Sequence, residues 1–232
     1  MKQRFLKNLA VGAVLVFVVL VFPAINCFSQ QAQEVHPSHH GFDDIELWVK
    51  RFEDPERDKW QKPEEIIKSL NLNSGDVIAD IGAGTGYFTR RLAVAVGPGG
   101  KALGLDIEPA MVKHMNEDAQ KLSLKNYEAR LVKPDDPELE PHSVHVVFIC
   151  DTYHHIENRV GYLKRLSKSL KKNGRVVIVD FYKKPLPVGP PLNLKLSEKT
   201  VLEEFRQAGY HLKRSLDFLP YQYFLEFEFG SN

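Results

Sequence analysis

The hydrophobic pattern changes its period along the chain, and the changes mark alternating strands and helices. From residue 77 onward, short runs of consecutive apolar residues alternate with segments in which apolar positions recur every three or four residues. The first pattern is typical of strands buried on both faces, and the second of helices that cover them. The alternation predicts a doubly wound α/β fold, with a mostly parallel seven-stranded sheet and helices on both faces.

The carboxyl-terminal part of the chain departs from this alternation. Two strand-like runs, 212–218 and 221–229, are joined by Leu219-Pro220. So short a connection between two strands is typical of a hairpin. We therefore expect a C-terminal β-hairpin that places one antiparallel strand in the sheet. The other predicted strands are 77–80, 102–105, 127–132, 144–150 and 175–181.

Residues that favour helix ends support the helical periodicity. Pro63 and Pro109 suit the first turn of a helix, Ser197 suits an N-cap, and Gly174 suits the end of a helix. The predicted helices are 63–70, 88–96, 109–122, 160–171 and 197–208.

The first part of the chain has the layout of an export signal. Lys2, Arg4 and Lys7 precede an apolar run over 9–22, and small polar residues follow it. This order predicts that residues 1–29 are a signal peptide or a membrane anchor. Basic residues ahead of the run favour a domain on the outer side of the membrane. We expect an exported protein (periplasmic or extracellular) or a membrane-anchored one, with the side of the membrane left open.

Three alternatives for this segment stay open. Cleavage after Ser29 is favoured, because Cys27 and Ser29 offer small side chains at the positions that a signal peptidase recognises. Lipid modification at Cys27 is a weaker alternative, since Asn26 stands where Gly or Ala is normally needed. An uncleaved anchor is the third, because residues 9–28 are nearly long enough to span a bilayer.

The rest of the chain divides into three predicted parts. Residues 30–41 are polar and typical of a linker. Residues 42–75 form a predicted N-terminal helical cap, with an amphipathic helix within 42–59 that ends at a turn. Residues 76–232 form the predicted Rossmann-like domain.

Charge and cysteine content exclude several classes of protein. Lysines and arginines number 31 and acids 30, a formal net charge of +1, so no electrostatic footprint for nucleic acid is expected. Of two cysteines, one lies in the N-terminal segment, which leaves no disulfide framework. The linker histidines have no carboxylate or cysteine at ligand spacing, so no metal site is predicted.

The most informative stretch is a strand that ends in a carboxylate and is followed by a glycine turn. Asp80 ends the strand, and Gly82, Gly84 and Gly86 alternate along the turn. Glycines there permit positive φ and let a ligand lie against the backbone. Tyr87 stands where a dinucleotide fingerprint needs glycine. The turn instead suits a nucleoside that carries a positive charge and no phosphate.

On these residues the chain resembles the class I (Rossmann-like) S-adenosylmethionine-dependent methyltransferases, from about Trp60 to the C-terminus. Its motifs are most similar to the small-molecule group that includes quinone C-methyltransferases and arsenite methyltransferases. Arsenite chemistry needs several thiolates, which this chain lacks. The segments that carry the resemblance, in the family's order, are 80–86, 102–106, 146–156 and 170–180.

The resemblance implies S-adenosyl-L-methionine as cofactor and a role for each acid at a strand end. Asp106 would accept hydrogen bonds from the ribose hydroxyls, and Asp80 would face the methionine ammonium or cap the turn. Ile107 could pack on adenine, and Asp135 or Asp136 could accept from its amino group or lie in an exposed turn. The expected cofactor-binding residues are Asp80, Gly82, Ala83, Gly84, Gly86, Asp106, Ile107, Asp135 and Asp151.

One constellation in the predicted fourth-strand loop could perform acid–base chemistry. His154, His155 and Tyr153 are the catalytic candidates, beside Asp151. A histidine could take a proton from a hydroxyl or an activated carbon nucleophile. The alternative is that one histidine packs in the loop while the other faces solvent.

Two further segments could line an acceptor pocket. The first is 57–63, where the resemblance implies a lid over the cofactor and where Trp60 could be a lid aromatic or a core residue. The second is the proline-rich stretch 184–191, which could wall the pocket or only connect two elements.

The sequence predicts a methyltransferase for a small-molecule acceptor, lipid-like or quinone-like, with membrane contact through the N-terminal segment. A non-catalytic nucleoside-binding module with an extracytoplasmic sensor or scaffold role is the alternative, because S-adenosylmethionine is made in the cytoplasm. A dehydrogenase ranks third, weakened by Tyr87.

Overall fold

The computed structural model describes residues 45–230. The predicted signal or anchor (1–29), the linker (30–41) and the start of the predicted cap lie outside the described residues. The helices are α1 (Ile45–Phe52), α2 (Pro55–Gln61), α3 (Pro63–Ser69), α4 (Thr89–Val96), α5 (Pro109–Lys121), α6 (Arg159–Ser169) and α7 (Glu198–Gln207), with a 3₁₀ helix at Tyr153–His155. The strands are β1 (Val77–Ile81), β2 (Lys101–Asp106), β3 (Tyr127–Leu131), β4 (Val144–Cys150), β5 (Leu170–Phe181), β6 (Tyr210–Leu216) and β7 (Gln222–Phe229).

The seven strands form one sheet in the order β3-β2-β1-β4-β5-β7-β6. The first five pair in parallel, and β7 is antiparallel to both of its neighbours. The predicted fold class is therefore confirmed, including the hairpin that supplies one antiparallel strand. The chain leaves β1 toward one edge and returns at β4, so the switch point lies between β1 and β4. Ligands of open α/β sheets bind there, at the carboxyl ends of the strands.

Helices cover both faces of the sheet. On one face, α6 and α7 contribute buried Leu163 and Phe205 to a hydrophobic core with the inward side chains of the strands. On the other, α4 and α5 contribute Leu92 and Met115 to a second core. Burial on both faces explains why the strands are nearly continuous apolar runs. Within residues 45–230, no helix has both the length and the apolar composition needed to cross a bilayer.

Several boundaries differ from the sequence expectation, and two of the differences have a local cause. The predicted helix 160–171 ends at Ser169, and Leu170 instead pairs with Val144 as the start of β5. Leu170 continues the helical apolar spacing, but its burial in the sheet decides its conformation. The predicted turn after α1 is followed by an additional helix, α2, because Asp54 caps it by accepting from the Glu56 amide at 2.9 Å.

Candidate active site

The glycine turn after β1 has left-handed backbone at all three glycines. The φ angles of Gly82, Gly84 and Gly86 are 67°, 57° and 80°. A Cβ on Gly82 would collide with Thr152, and one on Gly86 would collide with the Tyr127 hydroxyl. A Cβ on Gly84 would have no neighbour closer than 3.5 Å. The fold itself therefore requires two of these glycines, while a Cβ on Gly84 would make ordinary contact with the ring of Phe52.

The turn is fastened to the end of β2. Gly82 and Ala83 donate their backbone N–H groups to the Leu105 carbonyl at 2.8 and 3.1 Å. The Gly84 amide donates to Asp106 Oδ2 at 2.7 Å. The predicted cofactor-binding residues of the first two motifs therefore meet in one place, at the switch point of the sheet.

Asp106 is buried and held by backbone amides. Its side chain accepts from the amides of Gly84 and, at 3.0 Å, Glu108. Burial raises the pKa of the Asp106 carboxyl, and these hydrogen bonds oppose that effect. A carboxylate oxygen accepts more than one hydrogen bond, so both oxygens retain capacity for hydroxyl donors.

Asp80 lies behind the turn, tied to the start of α4. The Thr89 hydroxyl donates to Asp80 Oδ2 at 2.6 Å, and the aspartate is 3% exposed. Burial raises its pKa to about 7. Asp80 is thus tied to α4, its expected role toward the turn or the cofactor stays a prediction, and its carboxyl would respond strongly to a nearby cation.

Arg57 of α2 lies in the predicted lid segment, but the sequence assigned it no role of its own. Its guanidinium lies 4.0 Å from the centre of the Tyr87 ring and 3.6 Å from Asp151 Oδ2. It also donates to the Phe52 carbonyl at 3.0 Å and to Gln61 Oε1 at 3.2 Å. These contacts place a cation directly beside the glycine turn.

Two acids of the α1–α2 region hold these helices against the turn. Glu53 accepts from the Thr85 hydroxyl at 2.5 Å and from Arg90 Nη1 at 2.6 Å. Asp58 accepts from the hydroxyl of Tyr87. These hydrogen bonds and the ion pair with Arg90 thus hold the two helices against the turn at which a cofactor would bind.

Asp151, at the end of β4, lies under the same helices. Its backbone has a φ of 56°, and its side chain accepts from the amide group of Gln222. Gln222 in turn accepts from Gln61 Nε2 at 2.6 Å. Burial raises the pKa of Asp151 to about 7, although Arg57 opposes the shift.

A buried histidine–aspartate pair lies beside this group. His154 Nδ1 is 2.9 and 3.0 Å from the two carboxylate oxygens of Asp180, and the side chains are 3% and 0% exposed. The Phe181 amide also donates to Asp180 at 2.8 Å. Burial lowers the pKa of His154, but the Asp180 carboxylate outweighs this effect and raises it. Asp180 is the penultimate residue of β5, so the signal that identified the other acids near strand ends applied to it as well.

The other two catalytic candidates are placed differently. The Tyr153 hydroxyl donates to Glu204 of α7 at 2.9 Å, and the ring packs against Phe205 in the core. Tyr153 was expected in the acid–base group with the two histidines. Its hydroxyl instead points away from them, to Glu204 of α7. His155 is exposed, with its ring centre 4.2 Å from that of His154.

The residues expected near adenine are exposed. Ile107 is 37% exposed beside Asp106. The Asp135 carbonyl accepts from Arg165 of α6 at 2.7 Å, and its carboxylate lies 3.9 Å from the same guanidinium. Asp135 thus lies in an exposed turn tied to α6, and its role toward adenine stays a prediction.

Trp60 of α2 joins the α1–α2 region to the end of β5. Its ring centre is 5.7 Å from that of Phe181 and 6.3 Å from that of Tyr221. The side chain is half-buried, which places it at the rim of the site. Over the part of the chain that the structure describes, no group of three or more His, Cys, Asp or Glu side chains is arranged to hold a metal.

This fold and site define a class of protein: a Rossmann-like domain with a nucleoside site at its switch point. The family described as "Methyltransferase domain" matches residues 72–218, so the chain belongs to that family. The resemblance to S-adenosylmethionine-dependent methyltransferases is confirmed, and S-adenosylmethionine is the cofactor of this class.

Individual relatives agree with this assignment. The demethylmenaquinone methyltransferase of Staphylococcus carnosus is 29% identical over 131 residues, which is 56% of this chain and 52% of the relative. The chain therefore matches about half the length of such relatives. A SAM-dependent methyltransferase from Aquifex aeolicus has a TM-score of 0.75 at 27% identity, covering 79% of this chain and 97% of that one.

The fold alone does not fix the reaction. The [4+2]-cyclase SpnF has a TM-score of 0.64 at 13% identity, covering 74% of this chain and 81% of that one. A likeness at this identity concerns the fold only, so the chemistry must be argued from the site.

Proposed function

We propose that the chain transfers the methyl group of S-adenosylmethionine to a small-molecule acceptor that is lipid-like or quinone-like. The observation that carries the proposal is the buried His154–Asp180 pair, which lies near Asp151 at the same end of the sheet as the glycine turn and Asp106. The names of the relatives, demethylmenaquinone methyltransferases, support an acceptor of this class.

The residues around the turn fit the cofactor. Asp106 would accept from the ribose hydroxyls, and the lack of a Cβ on Gly84 would let the nucleoside approach the backbone where the Phe52 ring now packs. Arg57 would bind the methionine carboxylate, because its guanidinium lies beside the turn. Asp80 and Asp151 supply negative charge for the positively charged cofactor. When bound, the cofactor would supply a sulfonium methyl group for in-line attack by the acceptor, with S-adenosylhomocysteine as the leaving group.

His154 is the proposed general base. Asp180 occupies Nδ1, which leaves Nε2 to accept a proton from a hydroxyl or an activated carbon of the acceptor. Asp180 would orient the ring and stabilise the imidazolium that forms. The α1–α2 region, held by Glu53 and Asp58, would exclude water from the reacting groups.

Export or membrane anchoring through residues 1–29, with membrane contact there, remains part of the proposal. The basic start of that segment and the apolar run that follows it support this part of the proposal.

The proposal is tested with full-length protein, S-adenosylmethionine labelled in its methyl group, and lipid extracts that contain demethylated quinones. We expect label in an extracted lipid-like product. Calorimetry with S-adenosylhomocysteine separates the outcomes. Binding without transfer to any acceptor would favour the non-catalytic module, and no binding would contradict both functions.

A further inference from the structure

The segment between β5 and α7 presents apolar side chains and positive charge on the surface. Leu192 is 47% exposed and Leu194 is 38% exposed, and neither is among the side chains that pack in the two cores of the described residues. Lys183 and Lys184 are exposed at the start of the same segment. Residues 181–197 contain three lysines and no acid. We call residues 183–194 the loop surface.

The loop surface is anchored at the rim of the active site. A Cβ on Gly189 would lie 2.6 Å from the Phe181 ring, so the loop packs closely on that ring. Lys195 donates to the Lys184 carbonyl at 3.1 Å and joins the two ends of the loop. Phe181 also contacts Trp60 of α2. The exposed leucines are therefore connected, through one aromatic side chain, to the helices over the site.

We propose that the loop surface docks on an anionic lipid bilayer. Exposed leucines gain free energy when they enter the boundary between headgroups and acyl chains, and neighbouring lysines are attracted to anionic headgroups. Prolines restrict the backbone of the loop, so little conformational entropy is lost on docking. The combination of apolar residues with unbalanced positive charge selects a negatively charged bilayer over a neutral one.

Docking in this orientation would bring the rim of the site to the membrane surface. A lipid-like acceptor could then reach His154 without crossing water. The surface is independent of the reaction, so docking can fail while the proposed function holds, and the two outcomes are measured separately.

The test measures hydrogen exchange of the amides within 186–194, in full-length protein, with vesicles of phosphatidylcholine alone or mixed with phosphatidylglycerol. Local exchange is the readout because the apolar run at 9–22 could bind vesicles by itself. We expect exchange in the loop surface to slow several-fold with anionic vesicles, and this protection to weaken as salt is raised. The double variant L192S/L194S should lose the protection while keeping its affinity for S-adenosylhomocysteine.

Leu122→Ser is the matched control, since Leu122 is also 47% exposed but follows α5. It should leave the protection unchanged. Equal protection by neutral vesicles, or no protection by either kind, would overturn the proposal. Protection that appears without vesicles and grows with protein concentration would also overturn it, because a second copy of the chain would then cover the surface.

Discussion

His154 Nδ1 lies 2.9 Å from Asp180 Oδ2, and both side chains are almost completely buried. The pair joins the loop after β4 to the end of β5. In the sheet, β4 lies between β5 and β1, the strand that leads into the glycine turn. A carboxylate in this position fixes the imidazole ring and stabilises its protonated form. The relationship gives the proposed base a defined tautomer, and it can be tested by removing either partner.

Replacing Asp180 with Asn should lower kcat by about 10²–10⁴-fold, the usual contribution of general base catalysis. Asn keeps the size of the side chain but cannot stabilise the imidazolium. Steady-state kinetics with a lipid-like acceptor measures the effect. Tyr153→Phe is the control, because its hydroxyl contacts Glu204. It should cost about 1 kcal/mol of stability with little change in kcat.

The pH dependence of kcat should identify His154. Its raised pKa means that the neutral, proton-accepting form becomes populated only as pH rises through that value. The rate should therefore increase with pH on this limb. Asp180→Asn should move the limb to lower pH, because the carboxylate that raises the pKa is gone. A limb that does not move would exclude His154 as the base.

Asp106→Ala should weaken binding of S-adenosylhomocysteine by about 1.5–3 kcal/mol, the scale of hydrogen bonds to a charged group. Isothermal calorimetry measures the change. Asp135→Ala is the comparison variant, since Asp135 is exposed and lies near Arg165 of α6. A loss of affinity with Asp135→Ala but not with Asp106→Ala would show that the ribose site is misassigned.

Asp80 should make unliganded protein less stable as pH rises from about 4 to 7. Its pKa is raised to about 7 in the folded state, so folding favours the protonated form and this advantage is lost above the unfolded pKa. Asp80→Asn should therefore stabilise the unliganded protein at pH 8, by up to about 4 kcal/mol for a shift of about three pH units. Thermal unfolding at pH 5 and pH 8 measures the difference. Equal effects at both pH values would contradict the assignment.

Much of this site follows from sequence, because apolar runs that end in an acid place Asp80, Asp106 and Asp151 at one edge of a parallel sheet. Asp180 also follows an apolar run, so the same pattern could have identified it. Arg57 follows no such pattern, since its position depends on how α2 packs on the turn. The bond between Gln61 and Gln222 joins residues 161 positions apart, which no local pattern predicts. The start of β5 was missed because Leu170 fits a helix and a strand equally well.

The contacts of Glu53 with the glycine turn and α4 should control the rates at which the cofactor binds and leaves. Glu53→Gln removes a charge that Thr85 and Arg90 contact, so α1 and α2 should open more readily. Association and dissociation rates of S-adenosylhomocysteine should both rise several-fold in stopped-flow measurements, with a smaller change in affinity. Glu56→Gln is the matched control, because the Glu56 carboxylate is exposed and forms its ion pair with Lys59 of the same helix. Faster exchange in the control as well would show a general loosening of α2.

The central claim is that the crevice beside the glycine turn holds a sulfonium nucleoside, and a crystal structure with S-adenosylhomocysteine tests it most directly. We expect the ribose hydroxyls within hydrogen-bond distance of Asp106 and the methionine carboxylate against Arg57. A crevice that stays closed by side chains at saturating nucleoside, or a nucleoside bound elsewhere, would contradict the account.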